Sequence, residues 1–263
     1  METIQSRDNP LVKKIRALAH SGRDRRKLGQ TVLDGAHLVD AARQGGYALR
    51  EVLLSDSGAG RPEHLALIAA LPDEVRQVCV PDALFRQLSP VESPSGLLAV
   101  IDLPETRRTL PTEGDVLLLD RVQDAGNLGT LLRSAAAAGV PVAVLTPGCA
   151  QAWSPRVLRA GMGAHFRLDI IESDDPVAWL ERYRGAVYAT TLGPGSRDLF
   201  ETDLRASGVW LFGAEGAGVS PALLAHASHP LVIPMPGAIE SLNVAAAAAI
   251  GLFEQLRQRR FTR

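Results

Sequence analysis

The sequence predicts an α/β protein of two domains, the second built on a parallel sheet. With 263 residues, 46% of them apolar, the chain is able to bury a full core as one large domain or two modest ones. Short apolar runs of strand length alternate with helical patterns, which is typical of a parallel sheet with helices on both faces. A polar, proline-containing segment at residues 105–114 separates two strand patterns. It is predicted to link a domain of residues 1–104 to one of residues 115–263.

The N-terminal domain is predicted to open with a basic amphipathic helix. Residues 9–28 place Leu11, Ile15 and Leu18 at helical spacing, with Lys and Arg between them. The other predicted elements of this domain are strands at 30–34, 49–54, 75–80 and 96–103 and helices at 36–45, 63–70 and 83–88.

The C-terminal domain is predicted to alternate strands with helices. Its predicted strands are 116–119, 142–145, 186–190, 209–212 and 231–233. The clearest helical pattern is an apolar stripe from Leu128 to Ala136, which Gly139 ends. Open α/β sheets bind ligands at the turns beyond their strand ends. The polar, glycine-rich turns of this half therefore predict one composite site.

Charge is segregated along the chain. The net charge is −1, but residues 1–28 carry eight Lys or Arg against three acids and residues 251–263 carry four Arg against one acid. Basic ends of this kind are expected where a chain contacts phosphate, although solvated helix faces give the same pattern. The basic residues of the first helix that are candidates for contact with phosphate are Lys13, Lys14, Arg16, Arg25, Arg26 and Lys27.

Composition also excludes several classes of protein. The two cysteines, Cys79 and Cys149, are far apart, so neither a disulfide framework nor a zinc site is indicated, and a cytoplasmic location is expected. The N-terminus lacks the apolar core of a secretory signal, and the longest apolar stretch, Val244–Phe253, is too short to span a bilayer. We expect no membrane role and no metal.

Three turns carry the candidate chemistry. Asn127 is predicted to cap the helix that follows it, while Arg133 lies off the apolar stripe, where a guanidinium could meet a phosphate or a developing oxyanion. Glu215 lies in a glycine-rich loop. Ser241 and Asn243 precede an alanine-rich helix as its candidate N-cap and first-turn residue. Each also has an ordinary interpretation as an exposed helix arginine, a solvated loop glutamate or a plain helix cap.

In order and spacing, these turns resemble the three motifs of a known enzyme family. The segments are Asn127-Leu-Gly-Thr-Leu-Leu-Arg133, Gly213-Ala-Glu-Gly-Ala-Gly218 and Ile233-Pro-Met-Pro-Gly-Ala-Ile-Glu-Ser-Leu-Asn243. They are similar to the motifs of the SpoU-type (TrmH-like) RNA ribose 2'-O-methyltransferases of the SPOUT class. Residues 1–104 resemble the L30e-like substrate-binding domain of many such enzymes, although Asp34-Gly35 stands where that domain usually has Glu-Gly.

The resemblance implies a fold and an activity. The C-terminal domain would form a SPOUT-type parallel sheet with a deep trefoil knot, and the smaller N-terminal domain an L30e-like α/β unit. The implied reaction is methylation of a ribose 2'-hydroxyl in structured RNA by S-adenosylmethionine (AdoMet). Ribosomal RNA is favoured by the L30e-like attachment, and transfer RNA is the alternative. A homodimer formed through the C-terminal domain is also implied.

The resemblance assigns residues to this site. Arg133 takes the central catalytic position, either as a base or as an electrostatic stabiliser of the 2'-oxygen. The second role is favoured because a guanidinium stays protonated. The implied catalytic residues are Asn127, Arg133, Glu215, Ser241 and Asn243, and the implied AdoMet-binding residues are Leu192, Gly213, Ile233, Met235, Ser241 and Leu242. A further family-like segment, from Ser154 to Phe166, adds Arg156 and Arg159 as candidates for RNA phosphate.

Two functions from other classes stay open. One is an RNA-binding protein without turnover, which the complete set of polar motifs disfavours. The other is a nicotinamide or nucleotide enzyme on an ordinary doubly wound sheet. The glycine-rich turn Gly213–Gly218 lacks the G-x-G-x-x-G spacing and does not lie near the start of its domain, so this second alternative is also disfavoured.

Overall fold

A computed structural model describes residues 1–91, 93–105, 109–193, 195–237 and 239–261. Part of the predicted linker, residues 106–108, and Ala238 of the third motif lie outside the described residues. The chain forms two compact units, Met1–Glu105 with Gln151–Phe166 and Thr106–Ala150 with Arg167–Arg263. None of the helices within the described ranges has the length and apolar character needed to cross a bilayer.

The first 105 residues contain a mixed five-stranded sheet with helices. The elements are β1 Glu2–Thr3, α1 Pro10–His20, α2 Gly22–Leu28, β2 Gln30–Asp34, α3 Ala36–Gln44, β3 Leu49–Ser55, α4 Asp56–Ala59, α5 Pro62–Ala69, β4 Arg76–Val80, α6 Asp82–Leu88 and β5 Leu97–Asp102. The sheet order is β1-β4-β3-β5-β2. Strand β4 runs parallel to β1 and β3, whereas β5 runs antiparallel to β2 and β3.

The rest of the chain supplies a seven-stranded sheet. The elements are β6 Val116–Asp120, α7 Ala125–Ala138, β7 Val142–Leu145, α8 Pro155–Gly161, a 3₁₀ turn Ala164–Phe166, β8 Asp169–Glu172, α9 Pro176–Leu180, β9 Ala186–Thr190, β10 Arg197–Asp198, β11 Gly208–Gly213, α10 Pro221–Leu224, β12 His229–Val232 and α11 Val244–Arg260. The order is β10-β12-β9-β11-β6-β7-β8, and neighbouring strands are parallel. The predicted α/β class with a parallel C-terminal sheet is confirmed. The deep trefoil knot stays a prediction.

The helix predicted over residues 9–28 is two helices. Ser21 adopts an extended backbone, with φ −118° and ψ 111°, between α1 and α2. Its hydroxyl accepts a hydrogen bond from the backbone N–H of Asp24 at 3.2 Å. A serine that caps a following helix favours a break over a continuous helix, because its oxygen satisfies a first-turn amide.

Residues 151–166 fold with the first unit, although the predicted boundaries assign them to the second domain. Leu158 and Phe166 are buried in the same cluster as Leu33 and Leu54 of the first sheet. Burial of these large apolar side chains is a sufficient reason for the segment to pack there. The predicted domain boundaries, 1–104 and 115–263 with a linker at 105–114, remain a prediction.

Helix α11 packs closely on the second sheet. It lies against α7 and β11. A side chain at Gly251 would come within 2.7 Å of the indole of Trp210, so the helix approaches the strand where it has no side chain. The indole N–H of Trp210 donates to the buried Gln255 at 2.9 Å. This packing fixes the middle of α11 on the sheet, and Asn243 lies at the N-terminus of the same helix.

Candidate functional site

The candidate site lies at one edge of the second sheet. Strands β12, β9, β11 and β6 are consecutive and parallel, so their carboxyl ends meet at the same edge. The three motif turns follow β6, β11 and β12, respectively. Turns that are far apart in sequence are thereby brought side by side.

A directional chain of hydrogen bonds joins the three turns. Asn243 caps α11, its side-chain oxygen accepting from the backbone N–H groups of Ala245 at 2.9 Å and Ala246 at 3.3 Å. Its amide nitrogen donates to the side-chain oxygen of Asn127 at 3.0 Å. The amide nitrogen of Asn127 in turn donates to the carboxylate of Glu215. Because the cap fixes which atom of Asn243 faces Asn127, the direction of the whole chain follows.

Both predicted helix caps are wrong. Asp124, not Asn127, caps α7, since its carboxylate accepts from the backbone N–H of Asn127 at 2.7 Å. Asn243, not Ser241, caps α11. The physical reason is the same at both sites. A cap residue lies just before the first helical turn. Helix α7 begins three residues earlier than a cap at Asn127 requires, and α11 begins two residues later than a cap at Ser241 requires.

The loop that carries Glu215 folds tightly back on its own strand. The backbone N–H of Gly218 donates to the carbonyl of Ala214 at 2.8 Å. A side chain at Gly213 would lie 2.0 Å from the carbonyl carbon of Gly218. Only glycine therefore fits at position 213. This close approach places Glu215, itself exposed, beside Asn127.

Asp120 was missed by the sequence analysis. It is the last residue of β6 and is only 3% exposed. Its carboxylate accepts from the backbone N–H of Ser220 at 2.7 Å and from the hydroxyl of Thr146 at 3.2 Å. The sequence feature that could have identified Asp120 is its position directly after the apolar run Val116–Leu119.

Arg133 stands apart from the chain of hydrogen bonds. It lies on the exposed face of α7, six residues beyond Asn127 and therefore about 9 Å further along the helix axis. Its guanidinium makes no hydrogen bond or ion pair with the described part of the protein. The structure thus joins Asn127, Glu215 and Asn243, and leaves the cationic head of Arg133 available to an external group.

The six residues predicted to bind a cofactor lie after three of these strands. Leu192 follows β9, Gly213 ends β11, and the others follow β12. Gly213 and Ile233 are buried, whereas Met235 is half-buried and Leu192, Ser241 and Leu242 are exposed. All six are uncharged and mostly apolar, which suits the face and edge of a neutral heterocycle such as a purine.

The predicted RNA-binding residues divide into three groups. Arg25 is wrongly predicted, because it is buried, 7% exposed, and its guanidinium donates to the carbonyl of Leu18 at 2.8 Å and to Gln151 at 2.6 Å. Lys13 and Lys14 form ion pairs with Asp8 and Glu51. The cations without a polar side-chain partner in the described ranges are Arg16, Arg26, Lys27, Arg156 and Arg159. Of these, Arg16 is half-buried and the other four are exposed.

His165 is a structural residue of the first unit. It is fully buried, and burial lowers its pKa from 6.5 to about 4. Its Nε2 lies 2.9 Å from the carbonyl oxygen of Ala152, so the neutral ring donates there. Across the described ranges, no three His, Cys, Asp or Glu side chains group as metal ligands would.

Comparison with protein families gives two matches. The profile described as the SpoU rRNA Methylase family matches residues 115–253. The profile described as an MRM3-like substrate binding domain matches residues 9–99.

Individual relatives agree over nearly the whole chain. The 23S rRNA (guanosine(2553)-2'-O)-methyltransferase RlmP of Bacillus subtilis is 34% identical over 252 residues, which is 95% of this chain and 97% of the relative. A crystal structure of an RNA 2'-O ribose methyltransferase is 30% identical, with a TM-score of 0.86, covering 98% of this chain and 100% of that one. An AdoMet-bound rRNA methyltransferase from Sinorhizobium meliloti is 29% identical, with a TM-score of 0.83 and 99% coverage of both chains.

Proposed function

Because the chain belongs to the SpoU rRNA methylase family, we propose that it transfers a methyl group from AdoMet to a ribose 2'-hydroxyl of ribosomal RNA. The observation that carries this proposal is the chain of hydrogen bonds that joins Asn243, Asn127 and Glu215 at the edge of the sheet. Ribosomal RNA is favoured over transfer RNA because the B. subtilis relative is named for methylation of 23S rRNA.

The residues at this edge fit AdoMet. When bound, AdoMet supplies a methyl group activated by a positively charged sulfur. The predicted contacts at Leu192, Ile233, Met235 and Leu242 are apolar, and two of these side chains, Leu192 at 65% and Leu242 at 39%, are exposed. An adenine ring would cover this exposed apolar surface, with the Ser241 hydroxyl and the backbone of Gly213 as polar contacts.

Glu215, Asn127 and Asn243 form the rigid part of the proposed catalytic site. Glu215 is exposed, yet the Asn127 amide holds its carboxylate in one orientation. A side chain fixed in this way orients a bound hydroxyl or sugar, and it loses no further conformational entropy when the reaction takes place. We assign Asn127 and Asn243 the role of orienting Glu215, and Glu215 that of orienting the bound groups.

Arg133 supplies the positive charge in the proposed mechanism. Its guanidinium is exposed and has no carboxylate partner among the described residues. Since a guanidinium stays protonated, Arg133 stabilises the negative charge that develops on the 2'-oxygen or holds the adjacent phosphate. The proton of the hydroxyl passes to water at this exposed edge of the sheet, and not to the guanidinium.

The first unit is the proposed RNA-binding part. Four exposed cations, Arg26 and Lys27 of α2 and Arg156 and Arg159 of α8, lack a polar side-chain partner in the described structure. Cations that no carboxylate neutralises bind phosphate with release of counterions. We also propose that two copies associate through the second unit, where Phe253 of α11 is 45% exposed.

Methyl transfer from labelled AdoMet tests the proposed function. Full-length protein is incubated with rRNA or tRNA that was never modified at the target, and the RNA is hydrolysed with alkali. We expect label in rRNA, within alkali-resistant dinucleotides, because a 2'-O-methyl group blocks cleavage of the next phosphodiester. Label on a base, or rRNA binding without label, would overturn the proposal.

Arg133→Ala and Arg133→Lys are the matched variants for this assay. With Arg133→Ala we expect methyl transfer to fall by about a hundredfold or more, the effect expected for loss of one electrostatic contact to a developing oxyanion. Arg133→Lys should recover part of the rate, since it restores charge without the planar fork. Affinity for AdoMet should change little. Equal loss of AdoMet binding and catalysis would assign Arg133 to the cofactor instead.

A further inference from the structure

Asp120 connects three strand ends of the second sheet. It ends β6, and its carboxylate accepts from the hydroxyl of Thr146, the residue directly after β7. The other carboxylate oxygen accepts from the backbone N–H of Ser220, seven residues beyond the end of β11. At 3% exposure, this carboxylate acts inside the protein and not at its surface.

The same residue holds both ends of the loop that carries Glu215. At the start of the loop, Gly213 lies opposite Asp120 in the β11–β6 register. At its end, the backbone N–H of Ser220 bonds to the Asp120 carboxylate at 2.7 Å. A loop whose two ends are fixed to one residue has few conformations left. Hydrogen bonds to an ionised carboxylate are also stronger than those between neutral groups.

The backbone beside Asp120 is strained in a way that supports this role. Arg121 has φ 55°, the left-handed region that residues with a side chain seldom adopt. Its N–H donates to the hydroxyl oxygen of Thr146 at 3.0 Å, and its Nε lies 3.3 Å from the Asp120 carboxylate. Strain of this kind persists only where surrounding interactions hold it.

We propose that Asp120 is a positioning residue for methyl transfer. Its carboxylate fixes the end of loop 214–220 at Ser220, while strand pairing opposite Asp120 fixes the start at Gly213, and together these contacts keep Glu215 in hydrogen-bonding contact with Asn127. Its role is exerted through the loop. The catalytic part of this inference rests on the proposed function, whereas the effect on the loop is measured without any RNA.

Three variants separate loop anchoring from other effects. Asp120→Ala removes both acceptors. Asp120→Asn keeps an oxygen for the Ser220 N–H and places an amide against the Thr146 oxygen, so the anchor survives without the charge. Ser220→Ala is the matched control, because Asp120 bonds only to the backbone of Ser220, whose hydroxyl makes no capping bond.

Amide hydrogen exchange of the full-length protein, AdoMet binding and methyl transfer to rRNA are measured together. For Asp120→Ala we expect exchange in residues 214–220 to rise about tenfold or more, as loss of a buried charge-assisted hydrogen bond implies. Exchange in the first unit should stay as in the wild type. The rate of methyl transfer should fall with the loss of loop protection, and Asp120→Asn should recover both.

The proposal is overturned if residues 214–220 of Asp120→Ala exchange as in the wild type. It is equally overturned if exchange rises to the same extent throughout the second sheet, or if Asp120→Asn is as defective as Asp120→Ala. A wild-type protein that transfers no methyl group to rRNA would instead defeat the proposed function. The exchange comparison would still decide whether Asp120 holds the loop.

Discussion

At the scale of single residues, the orientation of one amide determines the geometry of the site. An asparagine side chain has a donor end and an acceptor end, and in Asn127 both are engaged, one by Asn243 and the other by Glu215. The orientation originates at the N-terminus of α11, where Asn243 must present its oxygen to the helix. The cap residue Asn243 therefore positions the carboxylate of Glu215 through one intervening side chain, Asn127.

His165 gives a residue-scale prediction about pH. Burial lowers its pKa from 6.5 to about 4, so between these values the unfolded chain binds more protons than the folded protein. The free energy of unfolding should therefore fall as the pH is lowered from 6.5 towards 4, by an amount on the order of 3 kcal/mol at His165. Below that window, no further loss arises from this residue.

His165→Gln is the variant that isolates this contribution. Glutamine is uncharged at every pH in the window and carries an N–H for the carbonyl of Ala152. Urea unfolding at a series of pH values between 4 and 7 should show a steeper fall for the wild type than for His165→Gln. Parallel curves would mean that His165 does not titrate with the lowered pKa.

At the scale of elements, the first unit joins helices from distant parts of the sequence. The guanidinium of Arg25 in α2 bonds to Gln151, which precedes α8. Both helices pack beside β2. The buried Arg25 contributes to this arrangement, whereas Arg26 on α2 and Arg156 and Arg159 on α8 are exposed and are left for a ligand.

An element-scale prediction concerns the cations of α8. The double variant Arg156→Gln/Arg159→Gln should weaken rRNA binding, because each lost phosphate contact removes a released counterion. The slope of log affinity against log salt should become shallower by about 1.5, at roughly 0.7 to 0.9 per contact. Filter binding or fluorescence anisotropy at several salt concentrations measures this slope.

The control for that experiment removes the same net charge from the same unit. In Arg50→Gln/Arg76→Gln, both arginines are already paired, with Asp102 and Glu2. A cation held by a carboxylate has less to offer a phosphate, so this variant should keep the wild-type salt slope. Equal slopes for both double variants would remove α8 from the RNA contact.

At the scale of the whole molecule, α11 offers a surface for self-association. One side of the helix packs on α7 and β11, and Phe253 and Ala246 lie on the exposed side. An exposed phenylalanine on the outer side of a helix is a feature of surfaces that pack against another copy. The homodimer implied by the family resemblance stays a prediction.

Phe253→Glu tests the dimer. At a symmetric interface, the introduced carboxylate would be buried next to the same carboxylate of the other copy, which is unfavourable. We therefore expect the mass in solution to fall from that of two chains to that of one. Leu65→Glu on α5 is the control, since Leu65 is 48% exposed in the first unit. Light scattering after size exclusion measures both masses. A wild-type monomer, or a Phe253→Glu dimer, would contradict this interface.

Much of the second sheet follows from sequence alone. Strands β6, β7, β9 and β11 begin and end within about one residue of their predicted limits, because a strand buried on both faces is a continuous apolar run. Strands β1 and β10 were not predicted, since two residues carry too little pattern to identify a strand. The segment 169–172 was also missed; its acidic ends, Asp169 and Glu172, interrupt the apolar run.

The amino-acid sequence by itself determined the α/β class, the three polar turns and the family, because apolar periodicity and motif spacing are local properties of a chain. Only the tertiary structure decided that Asn243 and Asp124 cap their helices, that Arg25 is buried, and that Asp120 holds both ends of the Glu215 loop. The bonds of Arg25 and Asp120 depend on which distant backbone and side-chain groups become neighbours, whereas each cap bonds within three residues of itself, at the position where its helix begins. Polar groups withdrawn from water bond to whatever partner packing brings within reach, and a linear sequence does not specify that partner.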